Sequence, residues 1–184
     1  MKKNEILSEE NNIFETERLL IEPLLKHHAK DLFDLLSDDN LYYFMPENPP
    51  VSILKLEERY SRLETRCSTD KSEIWLNYTL KLKESGEYIG RIEATVKNDD
   101  GYIAYIIGSN FQNKGFATES VKKLLEILKT EFNAKTASAN LDTTNIASIK
   151  LLEKLLFERK KEIKNADFFK GRNSDEYVYE KNLT

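Results

Sequence analysis

The spacing of apolar residues in the N-terminal third of the chain predicts one short strand and two amphipathic helices. Apolar positions recur at i, i+3, i+4 and i+7 within residues 29–36, and a similar stripe runs through residues 53–63. Residues 18–24 are apolar enough for a strand, and Pro23 limits that strand to a sheet edge or to its own end. Three of the four prolines lie in residues 44–50, which indicates a loop.

The middle of the chain changes to a period of two, which predicts three consecutive strands. Apolar and polar residues alternate over residues 74–82, and a second strand follows over residues 88–96 after a Ser-Gly turn. An Asp-Gly pair at residues 100–101 then predicts a second hairpin turn. Residues 102–107 are almost continuously apolar, so we expect this third strand to be buried on both faces.

Helices and strands alternate in the rest of the chain. The pattern predicts a helix over residues 117–132, a strand over 136–141, a helix over 145–156 and a final strand over 176–180. The predicted order is β-α-α-β-β-β-α-β-α-β-β. An antiparallel meander followed by alternating helices and strands favours a mixed α/β sheet.

Composition narrows the class of protein. The 184 residues carry 28 Lys and Arg against 32 Asp and Glu, a formal charge of −4, which argues against a nucleic-acid-coating protein. One cysteine, Cys67, excludes an internal disulfide, and with two histidines no zinc site or other metal centre is expected. We expect residues 1–12 to form a polar tail that is not a signal peptide and residues 13–184 to form a single domain. We also expect a cytoplasmic protein without a membrane span.

The segment from residue 108 to residue 119 joins the third strand of the meander to a helix. The first N–H groups of a helix lack internal partners and attract anions, so this loop could hold a phosphate. Gly115 would allow close approach, and Lys114 would add a positive charge. Neither a P-loop nor a Gly-x-Gly-x-x-Gly pattern is present. On these residues alone, an anion site and an ordinary strand-to-helix loop are equally good readings.

Three segments together resemble the GNAT N-acetyltransferases. Gln112, Gly115 and Ala117 match the Gln/Arg-x-x-Gly-x-Gly/Ala pattern of the family's acetyl-CoA loop. Residues 145–148 look like the family's Asn-x-x-Ser helix, and residues 16–24 are typical of its RimJ/RimL-like branch. The resemblance covers residues 14–181.

The resemblance implies a fold and a cofactor site. The fold is a mixed, mostly antiparallel central sheet of six to seven strands with about four helices. Its fourth and fifth strands splay into a V-shaped gap that receives the pantetheine arm of acetyl-CoA, and here the fourth strand is residues 102–107. The implied cofactor-binding residues are Tyr105, Ile106, Ile107, Gln112, Asn113, Lys114, Gly115, Phe116, Ala117, Thr118, Asn140, Asn145 and Ser148.

The resemblance also implies direct attack of an amine on acetyl-CoA in a ternary complex. Ser148 is expected to assist the leaving thiolate, and a backbone N–H near Ile106 to stabilise the oxyanion. The base is open. Tyr102 stands where many relatives have Glu, but a phenol with a pKa of about 10 is a poor base at neutral pH. Glu93, on the same strand face as Arg91, is the nearest substitute.

The acceptor is left open by these residues. A small molecule or a protein N-terminus with a primary amine is expected, held between the first two helices, the aromatic residues 42–44 and the C-terminal hairpin around Phe168, Phe169 and Tyr177. His27 and His28 are read as surface residues, and the enzyme as a monomer or homodimer. Two alternatives stay open, namely a non-catalytic acyl-CoA-binding module and an acyltransferase that uses another acyl-CoA.

One further departure from the family pattern concerns the end of the helix over residues 145–156. Leu156 occupies the position where the family usually has a helix-ending glycine, so a different helix end is expected.

Overall fold

The computed structural model, which describes residues 13–184, contains one mixed sheet with helices on both faces. The predicted tail, residues 1–12, lies outside the described residues. The strands are β1 (Phe14–Glu15), β2 (Leu19–Pro23), β3 (Ile74–Leu82), β4 (Tyr88–Lys97), β5 (Asp100–Ile107), β6 (Thr136–Asp142), β7 (Glu158–Phe169) and β8 (Arg172–Asn182). The α-helices are α1 (His28–Leu36), α2 (Ile53–Leu63), α3 (Phe116–Thr130) and α4 (Ile146–Lys154).

The sheet has the order β1-β2-β3-β4-β5-β6-β8-β7, and every neighbouring pair is antiparallel except β5 and β6. This confirms the mixed, mostly antiparallel α/β fold with four α-helices in the described part of the chain. The sheet has eight strands rather than six or seven. The extra strand is the two-residue β1, which is too short to show a hydrophobic period.

The predicted gap lies between β5 and β6. These strands pair in parallel at three positions only, Asp100 with Thr136, Gly101 with Ala137 and Tyr102 with Ser138. The Asp100 carboxylate accepts hydrogen bonds from the Thr136 hydroxyl at 2.7 Å and from the Ser138 hydroxyl at 2.8 Å, so the joined end is pinned. Beyond Tyr102 the two strands diverge, and they are the fourth and fifth strands of the predicted scheme.

The prediction that β5 is buried on both faces is wrong in part, because β5 and β6 diverge. Ile103 and Ile107 are buried in the core beneath α3, whereas Ile106 belongs to a second core with α1 and α2. Tyr102, however, is 43% exposed, and Tyr105 is half-buried. An apolar run looks buried on both faces, but β6 leaves β5 after Tyr102 and opens one side of the strand.

One of the two histidines is a buried residue, contrary to expectation. His28 is 3% exposed, and its Nδ1 accepts a hydrogen bond from the Leu25 N–H at 2.9 Å. Burial, the largest cause, together with the neighbouring His27 lowers the pKa of His28, so the ring is neutral. His27 is exposed, as expected.

The expectation of a different end for α4 is also wrong. The Phe157 N–H bonds the Leu152 carbonyl at 3.0 Å and the Leu156 N–H bonds the Glu153 carbonyl at 2.9 Å, which is the Schellman arrangement. Leu156 itself takes the left-handed conformation, with φ of 63°, and is 75% exposed. The helix therefore ends as in the family, with leucine in the position that favours glycine.

Leu156→Gly is therefore expected to stabilise the protein. The left-handed conformation costs an L-residue about 1–2 kcal/mol, and glycine avoids this strain. Glycine also gives the unfolded chain more conformational freedom, which reduces the gain in stability by about 0.4–1 kcal/mol. The net gain should be about 0.5–1 kcal/mol in the free energy of unfolding, measured by urea denaturation. Leu156→Ala is the control, because it removes the exposed side chain and keeps the strained backbone. An equal gain from alanine would assign the effect to the side chain instead.

Candidate active site

The loop before α3 ends in left-handed geometry that frees the first turn of the helix. Gly115 is the N-cap residue, with φ of 84°, and Asn113 also has a positive φ, 60°. The first helical N–H to bond within the chain is that of Glu119, which donates to the Gly115 carbonyl at 3.0 Å. The N–H groups of Phe116, Ala117 and Thr118 precede it, so they have no partner inside the helix and remain available to an anion.

A clamp from the N-terminal strands holds this loop, and the sequence reasoning did not find it. The Arg18 guanidinium forms an ion pair with Glu119 at 2.6 Å and donates to the Lys114 carbonyl at 3.0 Å. It also stacks on the Phe116 ring, with its carbon 4.3 Å from the ring centroid. Burial acts to raise the pKa of Glu119, but hydrogen bonds from Thr16 and Arg18 outweigh it and lower that pKa. Arg18 lies in the segment that carried the resemblance, but its partner is about a hundred residues away.

A cavity of about 430 Å³ runs from this loop along β5 and α4, and we call it the loop cavity. Most of the predicted cofactor-binding residues line it. These are Tyr105, Ile106, Ile107, Gln112, Asn113, Gly115, Phe116, Ala117, Thr118, Asn145 and Ser148.

Two of the predicted cofactor residues do not line the loop cavity. Lys114 is not part of the lining, and its ammonium lies 5.6 Å from the centroid of the Phe111 ring, whereas Asn140 lines a different cavity. The positive charges at the loop cavity come instead from Lys150 and Lys154, one turn apart on α4. Their spacing of four residues is the signal that could have found them.

The backbone of β5 presents polar groups to the gap. The Gly108 N–H donates to the Ile89 carbonyl on β4 at 2.9 Å. Backbone groups of an antiparallel strand alternate in direction, so Ile106 faces β4, and Tyr105 and Ile107 face the gap. The Ile107 carbonyl accepts a hydrogen bond from the Gln112 side chain at 3.0 Å on that side.

A second cavity of about 390 Å³, the acidic cavity, lies between the diverging strands, the 44–47 loop and the C-terminal hairpin. Predicted residues Glu93, Tyr102 and Asn140 line it. Its lining in the described part of the chain holds one cation, Arg91, and five carboxylates, those of Glu47, Glu93, Asp142, Asp167 and Glu176.

The structure brings together only some of the residues predicted to surround the acceptor. Phe44 and Phe169 line the acidic cavity, but no residue of α1 or α2 does so. Phe168 is 67% exposed, and Tyr177 packs against the core and beneath the Arg159 guanidinium. The diverging strands β5 and β6 replace the two helices, because their separation leaves the space.

The two cavities meet at Tyr105 and Ser148, which line both of them. The Tyr105 hydroxyl is buried and makes no hydrogen bond of ordinary geometry to any residue of 13–184. Burial raises the pKa of Tyr105, and the Ser148 side chain nearby acts in the opposite direction. The Asn145 side chain caps α4 by accepting a hydrogen bond from the Ser148 N–H at 3.2 Å, which fixes where the serine stands.

The two candidate bases differ in environment. Glu93 forms a close ion pair with the Arg91 guanidinium, whose side chain is only 12% exposed. Burial of the phenol, followed by the Glu176 carboxylate, raises the pKa of Tyr102, so the phenol is protonated at neutral pH. Tyr102 can therefore only donate a proton at that pH, which leaves Glu93 as the candidate base.

Two cationic side chains of the β7–β8 hairpin, Lys170 and Arg172, hold the loop that lies over both cavities. The Lys170 ammonium donates to the Met45 carbonyl at 2.8 Å and to the Glu47 carbonyl at 2.9 Å. Arg172 donates to the Tyr43 carbonyl at 3.2 Å and forms an ion pair with the buried Asp142 at 2.9 Å. The hairpin tip and the 43–47 loop thus form one wall of the acidic cavity.

Within residues 13–184, no three His, Cys, Asp or Glu side chains come together as metal ligands. No helix in this part of the chain is long and apolar enough to cross a membrane.

Comparison with known proteins identifies the family. The model of the acetyltransferase (GNAT) domain matches residues 18–158, well over half of the chain. The chain belongs to the GNAT acetyltransferase family. Among its relatives is the uncharacterized N-acetyltransferase p20 of Bacillus licheniformis, which is 26% identical over 167 residues, covering 89% of this chain and 92% of p20.

Solved GNAT structures share the fold. Spermidine N-acetyltransferase of Vibrio cholerae, in complex with CoA and spermine, has a TM-score of 0.78 at 20% identity, covering 91% of this chain and 97% of its own. Ribosomal-protein-S5-alanine acetyltransferase of Vibrio fischeri has a TM-score of 0.79 at 18% identity, covering 93% and 96%. This GNAT protein is therefore an acetyltransferase with acetyl-CoA as its co-substrate.

Proposed function

We propose that residues 13–184 act as one domain that transfers acetyl from acetyl-CoA to a primary amine by direct attack in a ternary complex. The observation that carries this proposal is the junction of the two cavities at Tyr105 and Ser148. Two substrates that enter from opposite sides meet there, so positioning alone replaces a covalent enzyme intermediate. The lone thiol, Cys67, lines neither cavity, in keeping with this mechanism.

The loop cavity fits acetyl-CoA. The free N–H groups at the start of α3, with Lys150 and Lys154 opposite, supply donors and charge for its phosphates. The gap-facing backbone of Tyr105 and Ile107 supplies partners for its amide-containing arm. The oxyanion donor is then the N–H of one of these two residues rather than that of Ile106, which faces β4.

Acetyl-CoA supplies a thioester, and this chain's residues supply proton transfer and orientation. Tyr105 and Ser148 carry the two hydroxyls at the cavity junction, where they can donate to a departing sulfur. Glu93, held in place by its ion pair with Arg91, accepts the proton of the incoming ammonium, directly or through water. Tyr102, with its raised pKa, orients the amine as a neutral hydrogen-bonding group.

The charge of the acidic cavity favours a cationic acceptor. Arg91 is paired with Glu93, and Asp142 is paired with Arg172. The other carboxylates that line the cavity have no ion pair within the described part of the chain, and these are Glu47, Asp167 and Glu176. We therefore propose an acceptor that carries a second positive charge, either a small polyamine or a protein N-terminus beside a basic residue.

The decisive experiment is an assay of CoA release with a panel of amines and donors. We expect release with acetyl-CoA and with spermidine or a basic N-terminal peptide, and slower release with uncharged monoamines. Binding of acetyl-CoA without release for any amine would favour the non-catalytic module. Faster release from succinyl-CoA would favour another acyl donor.

Glu176→Gln is expected to weaken acceptor binding. Removing one unpaired carboxylate from the acidic cavity should raise the KM for a polycationic acceptor about 5- to 10-fold and leave kcat within about twofold. The matched control is Glu180→Gln, on the same strand but outside the cavity and exposed. Steady-state kinetics at fixed ionic strength test this, and equal KM changes in both variants would point to the overall charge of the protein.

A further inference from the structure

A small pocket of about 100 Å³ lies behind the acidic cavity, between α1, the loop that follows it and α2. Positive charge dominates it. Lys55 and Arg59 reach it from one face of α2, and Arg91 reaches it from β4. We call it the cationic pocket, and no carboxylate lines it in the described part of the chain.

The three cations of the cationic pocket are unequally neutralised. Lys55 is paired with Glu58 at 2.7 Å on the protein surface, and Arg91 is paired with Glu93 on the side of the acidic cavity. Arg59 forms no ion pair with any residue of 13–184, and it is half-buried. A half-buried guanidinium with two further cations nearby is unfavourable unless an anion joins it.

A buried hydroxyl at the pocket points to the same conclusion. Tyr60 is 1% exposed, lines the pocket, and its hydroxyl has no hydrogen-bond partner among the described residues. Burial raises the pKa of Tyr60 to about 12, so the group is a donor at every physiological pH. Buried polar groups are almost always hydrogen-bonded, so an unpartnered donor that lines a pocket favours an acceptor inside that pocket.

The volume sets the size of that acceptor. One water occupies about 30 Å³ in the liquid, so a pocket of about 100 Å³ holds about three waters or a single carboxylate or phosphate. Water would satisfy the Tyr60 hydroxyl, but it would leave the charge of Arg59 uncompensated. An oxyanion satisfies both.

We propose that the cationic pocket binds one small oxyanion, a carboxylate or a phosphate, through Arg59, Lys55 and the Tyr60 hydroxyl. Arg91 lines both this pocket and the acidic cavity. A bound anion shares Arg91 with Glu93 and weakens the hold of the arginine on that carboxylate. This coupling to catalysis rests on the proposed function, whereas the binding itself does not.

The test is a titration with inorganic phosphate, read as the thermal unfolding temperature. Saturating CoA is present throughout, so that phosphate does not occupy the start of α3, and sodium chloride at equal ionic strength is the reference. We expect a saturable rise in Tm beyond that of chloride. Arg59→Gln should weaken phosphate binding about tenfold, because it removes a charge-assisted hydrogen bond. Tyr60→Phe should weaken it about threefold.

Arg62→Gln is the matched control, since it removes an exposed positive charge of the same helix outside the pocket. It should bind phosphate like the parent protein. An equal response to phosphate and chloride, or an unchanged response in Arg59→Gln, would overturn the proposal. If Arg59→Gln does not fold, Lys55→Gln, at an exposed position, replaces it with the same expectation.

Kinetics then separate the two sources of the anion. If the oxyanion is an acidic group of the acceptor, phosphate will compete with the acceptor and raise its KM. If it is a free anion, phosphate will change kcat and leave that KM unaltered. If the protein binds phosphate in this titration but releases no CoA with any amine, the proposal for the cationic pocket stands and the proposed function fails.

Discussion

Tyr105→Phe should transfer acetyl groups about 100-fold more slowly than the parent protein and yet unfold at an equal or higher temperature. The hydroxyl lies at the junction of the two cavities, is buried, and makes no hydrogen bond of ordinary geometry within residues 13–184, although the Ser148 side chain lies near it. A positioned general acid contributes about 10²–10⁴-fold to a rate, so its removal costs kcat. The same removal relieves an unsatisfied buried group, so stability does not fall.

The serine beside it completes this prediction. Ser148→Ala should lower kcat by about 10- to 100-fold, and the double variant should be little slower than Tyr105→Phe, because groups that act as a unit are not additive. Tyr78→Phe is the matched control. The Tyr78 hydroxyl is also buried without a described partner, but it lies in the core away from both cavities. If kcat is unchanged in Tyr105→Phe, the Tyr105 hydroxyl takes no part in proton transfer.

Gly115→Ala should raise the Kd for acetyl-CoA at least about tenfold. A residue with a Cβ at φ of 84° is strained, and that Cβ would stand 3.3 Å from Nη2 of Arg18, the side chain that clamps the loop. Relaxation of the strain would turn the first N–H groups of α3 away from the phosphates, and a loss of about 1.4 kcal/mol is tenfold in affinity. Calorimetric titration with acetyl-CoA measures the change.

Gly86→Ala separates binding from stability. Gly86 has a similar φ of 73° in the β3–β4 turn, and a Cβ there would meet nothing closer than 4.0 Å. Both variants should lose about 0.5–1 kcal/mol in the free energy of unfolding, because the lower conformational freedom of the unfolded chain partly offsets the backbone strain. Only Gly115→Ala should bind acetyl-CoA more weakly. Equal affinities would mean that the loop does not carry the phosphates.

The mixed α/β sheet could be predicted from local patterns, whereas most residues of the loop cavity were implied by the resemblance to the GNAT family. Period-two and helical spacing located β3 to β5 and the four helices, and Gly115 followed from its place before a helix. The strand β7 was missed over most of its length, since it is almost entirely exposed and polar, and only its pairing with β8 makes it a strand.

The charged residues of the two cavities were less predictable, because their positions depend on the direction in which each side chain points. Lys114 and Lys150 are equally plausible phosphate partners in a sequence, and only the structure shows which of them faces the loop cavity. The pairing of Glu93 with Arg91 follows strand geometry, but the divergence that leaves Glu176 facing the same space joins residues far apart in the chain.

The short ladder between β5 and β6 has a consequence for motion. Three paired positions join strands β1–β5 to strands β6–β8, so the two parts of the sheet are hydrogen-bonded to each other at one end only, and they pack on a shared hydrophobic core. A molecule that lies in the gap touches both parts and restricts their relative movement. We therefore expect the first substrate to bear part of the entropic cost of ordering the site, so that the second binds more tightly without any change in mean structure.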